Sequence, residues 1–434
     1  MGEVLKIEKV IVGGKGLARR DDGMIVMVDA VLPGEQVEIG ESRIRSGYAE
    51  AEVAVFLSEH EQRVEPPCPH YGECGGCDLQ HGAYELQLVI KRDMVLEALT
   101  RAGVEFEPGV VGPTLPSPEP FGYRQRIRCQ VDRAGGVGFF RRQSKTVVPV
   151  ARCLTVTEPL NQLLGKLGTT RMRAFLARWC TELELFHSPG DDSLAVTAAV
   201  KKGWRGARAS AKKAAELLGI ENFFLRRGHR VEPLFPHCRD YSLFRTFGLP
   251  DGAGRFIFGW GVDCFSQIND AQNERLMHLV AELMGDPRGM RVLDLYCGAG
   301  NFSLPLAVQG ARGLGIEQNS SAIGWARRNS TGNGIKGWEF IVADVEKALA
   351  DLSLRGELFD TVLLDPPRRG MGRASELLPG LANRNIIYIS CDPATMARDL
   401  KILQSKGMRL VSLTPADMFP QTHHIESVAL LKKN

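Results

Sequence analysis

The chain lacks the features that would carry it out of a reducing, aqueous compartment. Nowhere in its 434 residues does an apolar run approach the roughly 18 to 20 residues that span a bilayer. The opening Met1-Gly2-Glu3-Val4-Leu5-Lys6 has none of the long apolar stretch of a secretory signal. Net charge is nearly absent too, at +3, and by itself points to no polyanion. There are no internal repeats. What remains is a soluble globular composition, 44% hydrophobic and 24% charged, long enough for two or three domains. A cytoplasmic protein is expected, with no membrane and no obligate protein partner implied. Ten cysteines in that compartment serve as ligands or nucleophiles more often than as disulfides.

The near-zero net charge hides a local excess. Arg124, Arg126, Arg128, Arg133, Arg141, Arg142, Lys145 and Arg152 face only Glu119 and Asp132 between positions 119 and 152. A second basic stretch runs from Lys201 to Arg245 against Glu216, Glu221, Glu232 and Asp240. With Phe121, Tyr123, Phe139 and Phe140 available for stacking, this middle region fits a surface facing a polyanion, the alternative being an ordinary solvated basic face.

Three regions follow from the pattern. Residues 1–60 read as a small all-β unit, with strand-like runs Val4 to Val12, Met24 to Val28, Gln36 to Ile39 and Ala49 to Leu57. Gly13-Gly14, Asp21-Asp22-Gly23 and Pro33-Gly34 separate them, which suggests a five-stranded OB-like barrel, gripping single-stranded nucleic acid or purely structural. Residues 61–255 hold a cysteine-rich loop, a helical run over 83–101, the connector Pro113 to Pro120 and the basic excess. Residues 256–434 alternate helices with the short strands Val292–Leu295, Gly313–Ile316, Thr361–Leu364 and Ile386–Ile389, the signature of a mostly parallel α/β sheet.

Leu293-Asp294-Leu295-Tyr296-Cys297-Gly298-Ala299-Gly300-Asn301 is a strand-to-helix turn suited to a nucleotide-like ligand. Gly298 and Gly300 let backbone approach a ligand, and the following helix supplies free N–H groups. Glu317 ends the next strand, where a carboxylate can accept from both ribose hydroxyls. Asp344, after Phe340-Ile341-Val342, is placed to meet an adenine amino group. The dinucleotide fingerprint lacks its third glycine, because Ser303 stands there, so S-adenosylmethionine is favoured over NAD.

The strand ending at Leu364 runs into Asp365-Pro366-Pro367-Arg368. Methyltransferases acting on exocyclic amines place an aromatic after a similar Pro-Pro pair, and Arg368 in its stead argues for ring-carbon chemistry. Cys391, in Ser390-Cys391-Asp392-Pro393, stands at a strand's carboxyl end, where open α/β sheets bind ligands. A nucleophile there suggests covalent group transfer. Separately, Cys68-x5-Cys74-x2-Cys77 lies in a proline- and glycine-rich loop that brings thiolates together, fitting either a 4Fe-4S cluster or structural zinc. Its spacing is not the Cys-x3-Cys-x2-Cys of radical enzymes. Cys129, Cys180, Cys238, Cys264 and Cys297 read as packing residues.

These motifs, with Phe265-Ser266-Gln267-Ile268-Asn269, Ser390 to Thr395 and His424-Ile425-Glu426-Ser427, resemble the RNA uracil-5-methyltransferases. The likeness is to the branch with an N-terminal TRAM barrel and an iron–sulfur cluster, acting on 23S ribosomal RNA, with a transfer RNA loop uridine as the alternative. Asp392 departs from the asparagine often found there. The resemblance implies a Rossmann-like methyltransferase domain at 256–434, a TRAM barrel at 1–60 and a central α+β domain at 61–255. It implies Cys391 as nucleophile and Glu426 as base. Gln267 and Asp365 would meet the substrate–cofactor junction, and Tyr296, Asn301, Glu317 and Asp344 would line the S-adenosylmethionine site. Cys153 would complete the cluster of Cys68, Cys74 and Cys77 and tip the choice from zinc to 4Fe-4S. Phe265 would stack on a flipped base or pack in the core. A non-catalytic RNA-binding module that kept the fold is the alternative from outside enzymology.

Overall fold

The computed structural model describes residues 3–433 apart from Asp240 and Ala253. At the N-terminus β1 (Glu3–Val10), β2 (Gly16–Arg19), β3 (Ile25–Val28), β4 (Gln36–Ile44) and β5 (Tyr48–Ser58) close a barrel in the order β1-β2-β3-β5-β4. All pairs are antiparallel except β3 with β5. Alternation puts Leu5, Ile7, Val26, Val28, Val37 and Ile39 inside. The expected five-stranded barrel is present. Its second strand escaped sequence analysis because Gly-Leu-Ala-Arg is short and led by glycine. Gly16 is needed there, since a Cβ would stand 2.2 Å from Val31 Cγ2.

The central sheet contains β6 (Arg126–Val131), β7 (Val137–Phe140), β8 (Val147–Pro149), β9 (Cys180–Ser188), β10 (Ser193–Val200), β11 (Asn222–Arg227) and β12 (Arg230–Pro233). Its order is β12-β11-β10-β9-β6-β7-β8. The helices Glu158–Leu167, Thr170–Trp179 and Ala207–Leu218 bury Leu160, Leu163, Leu176, Ala211 and Ala214 against Leu183, Leu185, Val196 and Phe223. A hairpin, β13 (Leu243–Gly248) and β14 (Arg255–Trp260), follows.

The C-terminal sheet is β15 (Arg291–Leu295), β16 (Arg312–Glu317), β17 (Trp338–Val342), β18 (Phe359–Leu364), β19 (Ala382–Ser390), β20 (Met408–Ala416) and β21 (Glu426–Lys433). The order is β17-β16-β15-β18-β19-β21-β20, parallel from β17 to β19 and antiparallel at β21 and β20. Chain order reverses beside β15, and ligands bind at such a switch point.

Two segments pack differently from their place in the sequence. The helix Tyr84–Ala102 falls in the middle region by position, yet Val95, Leu99, Val104 and Val111 share one core with Leu293, Leu295, Val362, Leu400 and Leu413. The chain after it adds to β20: Gly112 N–H donates to Leu413 O at 2.9 Å and Leu115 N–H to Pro415 O at 2.7 Å. Hairpin residues Phe247, Phe256, Phe258 and Trp260 likewise join Leu276, Val292 and Leu304. A boundary at 255/256 therefore does not separate the cores. Periodicity shows that a face is buried, not what buries it. Among the described residues no helix is long and apolar enough to cross a membrane.

Candidate active site

The carboxyl ends of β15 to β19 form one edge, and the cofactor turn opens it. Tyr296, Gly298 and Gly300 take positive φ of 61°, 55° and 93°. At Gly300 a Cβ would meet Leu304 Cγ at 2.9 Å, whereas at Gly298 it would meet nothing within 4 Å. Packing therefore leaves Gly298 bare backbone facing open space. Ser303, in place of the third glycine, donates its hydroxyl hydrogen bond to Asp294 and fixes the turn. Burial pushes the Asp294 carboxyl up to about 7.

Asn301 and a residue that sequence analysis missed, Asn273, hold each other reciprocally. Asn273 Nδ2 donates to Asn301 Oδ1 at 2.8 Å and Asn301 Nδ2 to Asn273 Oδ1 at 2.9 Å. Glu317 closes β16 half-buried, accepting Asn319 N–H at 2.8 Å. Exposed Asp344 caps the helix Val345–Leu354 by accepting Lys347 N–H at 3.0 Å. The Tyr296 hydroxyl is buried without a partner, as a ligand-facing group would be. Bare Gly298, orphaned Tyr296 Oη and two part-open carboxylates fit an adenosyl group.

Cys391 follows β19, and its turn is fixed by Asp392, which caps the helix Pro393–Ser405 by accepting Thr395 N–H at 2.9 Å. β19 pairs with β21 through Ser390 opposite Ser427. One step further along that antiparallel register, Cys391 faces Glu426. Asp365 leaves β18 at the same edge, its N–H donating to Leu295 O at 3.3 Å. Thiol and two carboxyls so gathered disfavour each other's charge. Burial, then Glu426 and Asp365, push the half-buried Cys391 thiol up to about 11, and the charge of Arg368 offsets part of this. Burial lifts Asp365 to about 7. Glu426 is 3% exposed and is raised well above the carboxylate range by burial and Asp365, with Arg368 opposing. Its Oε1 has no hydrogen-bond partner. Arg368 thus acts electrostatically on both the thiol and Glu426, a role that its place after Pro-Pro did not reveal.

The loop from Gly261 to Asn269 is tied to the central sheet. Arg126 Nη1 donates to Cys264 O at 3.0 Å and Gln125 N–H to Ile268 O at 3.0 Å. Between those ties Phe265 is 71% exposed, which removes the core alternative. Gln267 is half-buried in the same loop.

Cys68, Cys74, Cys77 and Cys153 line one cavity of about 80 Å3 with Ile127, Phe139, Val150 and Arg124. The cysteine loop docks on the β7–β8 hairpin, Gly75 N–H donating to Phe140 O at 2.9 Å. Asn161 clamps Cys153, accepting its N–H at 2.8 Å and donating to its carbonyl at 3.0 Å. Burial pushes up Cys74, and Cys77 to about 12, so an electropositive centre is what would ionise them. Among the described residues no three or more His, Cys, Asp or Glu stand as ligands of a single metal ion. The five other cysteines are buried, as expected of packing residues.

Several basic side chains expected to face a polyanion have protein partners. Arg126 and Arg128 pair with Glu184, Arg141 with Glu73, and Arg152 with Glu158. An open cleft of about 610 Å3 remains between barrel and hairpin, lined by Lys15, Arg141, Arg142, Lys145 and His423.

The profile of the tRNA (Uracil-5-)-methyltransferase family matches residues 249–434. The chain is 33% identical to the 23S rRNA (uracil(1939)-C(5))-methyltransferase of Thiobacillus denitrificans, over all of both chains. It is 35% identical to the protein of the same name from Halomonas elongata, over 99% of this chain and 89% of that one. Among solved structures, the Pyrococcus abyssi tRNA (uracil-54, C5)-methyltransferase in complex with S-adenosyl-L-homocysteine superposes with a TM-score of 0.72. It covers 98% of this chain and 99% of that one at 24% identity, a likeness of fold.

Proposed function

The chain belongs to the RNA uracil-5-methyltransferase family, and from that premise we propose that it methylates carbon 5 of one uridine in 23S ribosomal RNA, in the cytoplasm. The observation that supports the mechanism is that Cys391 and Glu426 lie one step beyond the Ser390–Ser427 pair at the end of the β19–β21 ladder, with the Arg368 charge opposing the upward shift of both.

Carbon 5 of uracil is a poor nucleophile until carbon 6 is attacked. Arg368 favours the Cys391 thiolate, whose sulfur forms a bond to carbon 6 while the ring's double-bond electrons move toward carbon 5 and the O4 carbonyl. S-adenosylmethionine, when bound, supplies an electrophilic methyl group. With that methyl on carbon 5, and the cofactor's sulfur left as a neutral thioether, Glu426 would remove the carbon-5 proton. The released electron pair restores the ring double bond and expels the thiolate. A carboxyl that burial makes basic suits that last task. A cationic sulfonium beside Asp294, Asp365 and Glu426 would favour their charged forms, which burial disfavours, so the edge is suited to a cation rather than a neutral ligand. Gln267 and Asp365 would hold the junction of base and cofactor, with Phe265 stacking on the flipped uracil.

Whole-length similarity to the 23S enzymes favours ribosomal over transfer RNA. The barrel and the cleft would grip the strand, with Lys145 as the basic side chain there that forms no ion pair among the described residues. Cys68, Cys74, Cys77 and Cys153 would hold a 4Fe-4S cluster. They line one cavity, which fits a shared metal centre, and it is the family resemblance that favours the cluster over zinc.

RNA carrying 5-fluorouridine tests the reading, because fluorine cannot leave as a proton and the adduct persists. A covalent protein–RNA complex with wild type, absent in Cys391→Ala, is expected. No complex with wild type would sink the mechanism and leave an RNA-binding module.

A further inference from the structure

The loop from Asp417 to Ile425 delivers Glu426 to the site, and it is held from outside the catalytic sheet. Asp78 Oδ2 accepts His423 Nδ1–H at 2.6 Å and the His423 backbone N–H at 3.3 Å. The N–H groups of Asp78 and Leu79 donate to Gln421 O at 2.9 and 3.0 Å. Gln87 accepts Gln421 N–H at 3.1 Å and donates to Gln421 Oε1 at 3.0 Å. Gln421 takes φ +70°, which a non-glycine residue holds only where its surroundings impose it. The other Asp78 oxygen accepts from Arg142 at 2.5 Å, and Arg142 also reaches Asp29 of the barrel at 2.6 Å. One buried carboxylate, next in sequence to Cys77, therefore joins barrel, hairpin and catalytic loop just before Glu426.

We infer that Asp78 is a positioning residue for the proton-removal step, setting where Glu426 stands while touching neither RNA base nor cofactor. This rests on the catalytic reading above. Cys391 is fixed independently, by β19 and by its own helix cap. Glu426 opens β21 opposite Ala416, so loss of the Asp78 tie frees its carboxyl on the loop side, not the strand behind it, and leaves the nucleophile in place. Addition and methyl transfer continue, release slows, and enzyme accumulates covalently bound to methylated RNA.

The test uses full-length protein and RNA with ordinary uridine, comparing wild type with Asp78→Asn. Single-turnover methyl transfer should stay within about twofold of wild type, while the covalent complex on a denaturing gel rises about fivefold or more. Gln87→Met, which cuts the neighbouring tie, is held to the same criterion and decides the matter should Asp78→Asn not fold. A complex at wild-type level, or methyl transfer and complex falling together, would overturn the inference, since a merely structural role moves both downward. Failure of wild type to trap 5-fluorouridine RNA removes instead the reading on which it rests.

Discussion

Tyr388 donates its hydroxyl hydrogen bond to Asp399 at 2.7 Å, tying the strand that presents Cys391 to the helix that follows it. The same carboxylate accepts Met371 N–H at 2.6 Å and Gly372 N–H at 3.0 Å. Thr395 Oγ1 donates to Arg368 O at 2.9 Å. The loop bearing Arg368 is thereby fastened to the turn bearing the thiol, so the guanidinium belongs to the nucleophile's fixed surroundings.

With the Cys391 thiol pushed up to about 11, only a small fraction is thiolate near neutrality. Adduct formation with 5-fluorouridine RNA should therefore accelerate steadily from pH 7 to 9, without a plateau. Removing the cation in Arg368→Met should slow the reaction at every pH and displace the profile upward by about one pH unit. Stopped-time gels across that range measure it. A plateau near pH 7 would show a thiol already ionised.

Glu426 should make the protein less stable as pH rises. A carboxyl whose folded pKa exceeds its unfolded value binds more protons folded than unfolded, so stability falls between those two values. Glu426→Gln removes that dependence. At pH 8 the variant should be more stable than wild type, with the gap closing toward pH 4. Denaturant titrations at the two pH values would read it.

Lys91 and Asp417 form an ion pair at 2.5 Å with both side chains fully buried. Lys91→Met strands Asp417 uncompensated and should cost about 3–5 kcal/mol of stability. Adding Asp417→Leu should recover much of that loss, because an apolar pair of similar size removes both desolvated charges. A double variant no more stable than Lys91→Met would contradict this account.

Gly298→Ala separates folding from ligand binding. Nothing in the protein lies within 4 Å of the new methyl, and φ is +55°, so only a backbone penalty of about 1–2 kcal/mol is expected. Calorimetric affinity for S-adenosylhomocysteine should fall by about tenfold or more, since the methyl enters the space where a ligand would meet backbone. Unchanged affinity would place the cofactor elsewhere.

Much of this was legible in the chain because it is local. The β-rich runs ending at Leu295, Ile316, Leu364 and Ile389 lie within β15, β16, β18 and β19, and the turn at Gly298 and Cys391 at its strand end follow from a few adjacent residues. Glu426 was not legible that way. It becomes meaningful only through a ladder that places it opposite Cys391, and resemblance alone had marked it. Asn273 and Asp78 escaped for the same reason, since their partners Asn301 and His423 lie far along the chain. Composition counts the arginines of the middle region without showing Glu184 or Glu73 beside them.

The helix Tyr84–Ala102 packs on the helix Pro393–Ser405, which imposes a schedule on the newborn chain. At about 5–20 residues per second, roughly 15–60 s pass on the ribosome between the emergence of the two. Through that interval Val95 and Leu99 have no partner to cover them. The barrel and central sheet can fold early, but the catalytic core closes only when synthesis is nearly over. A truncated chain therefore keeps its early domains while exposing a greasy helix, a natural handle for chaperones and proteases.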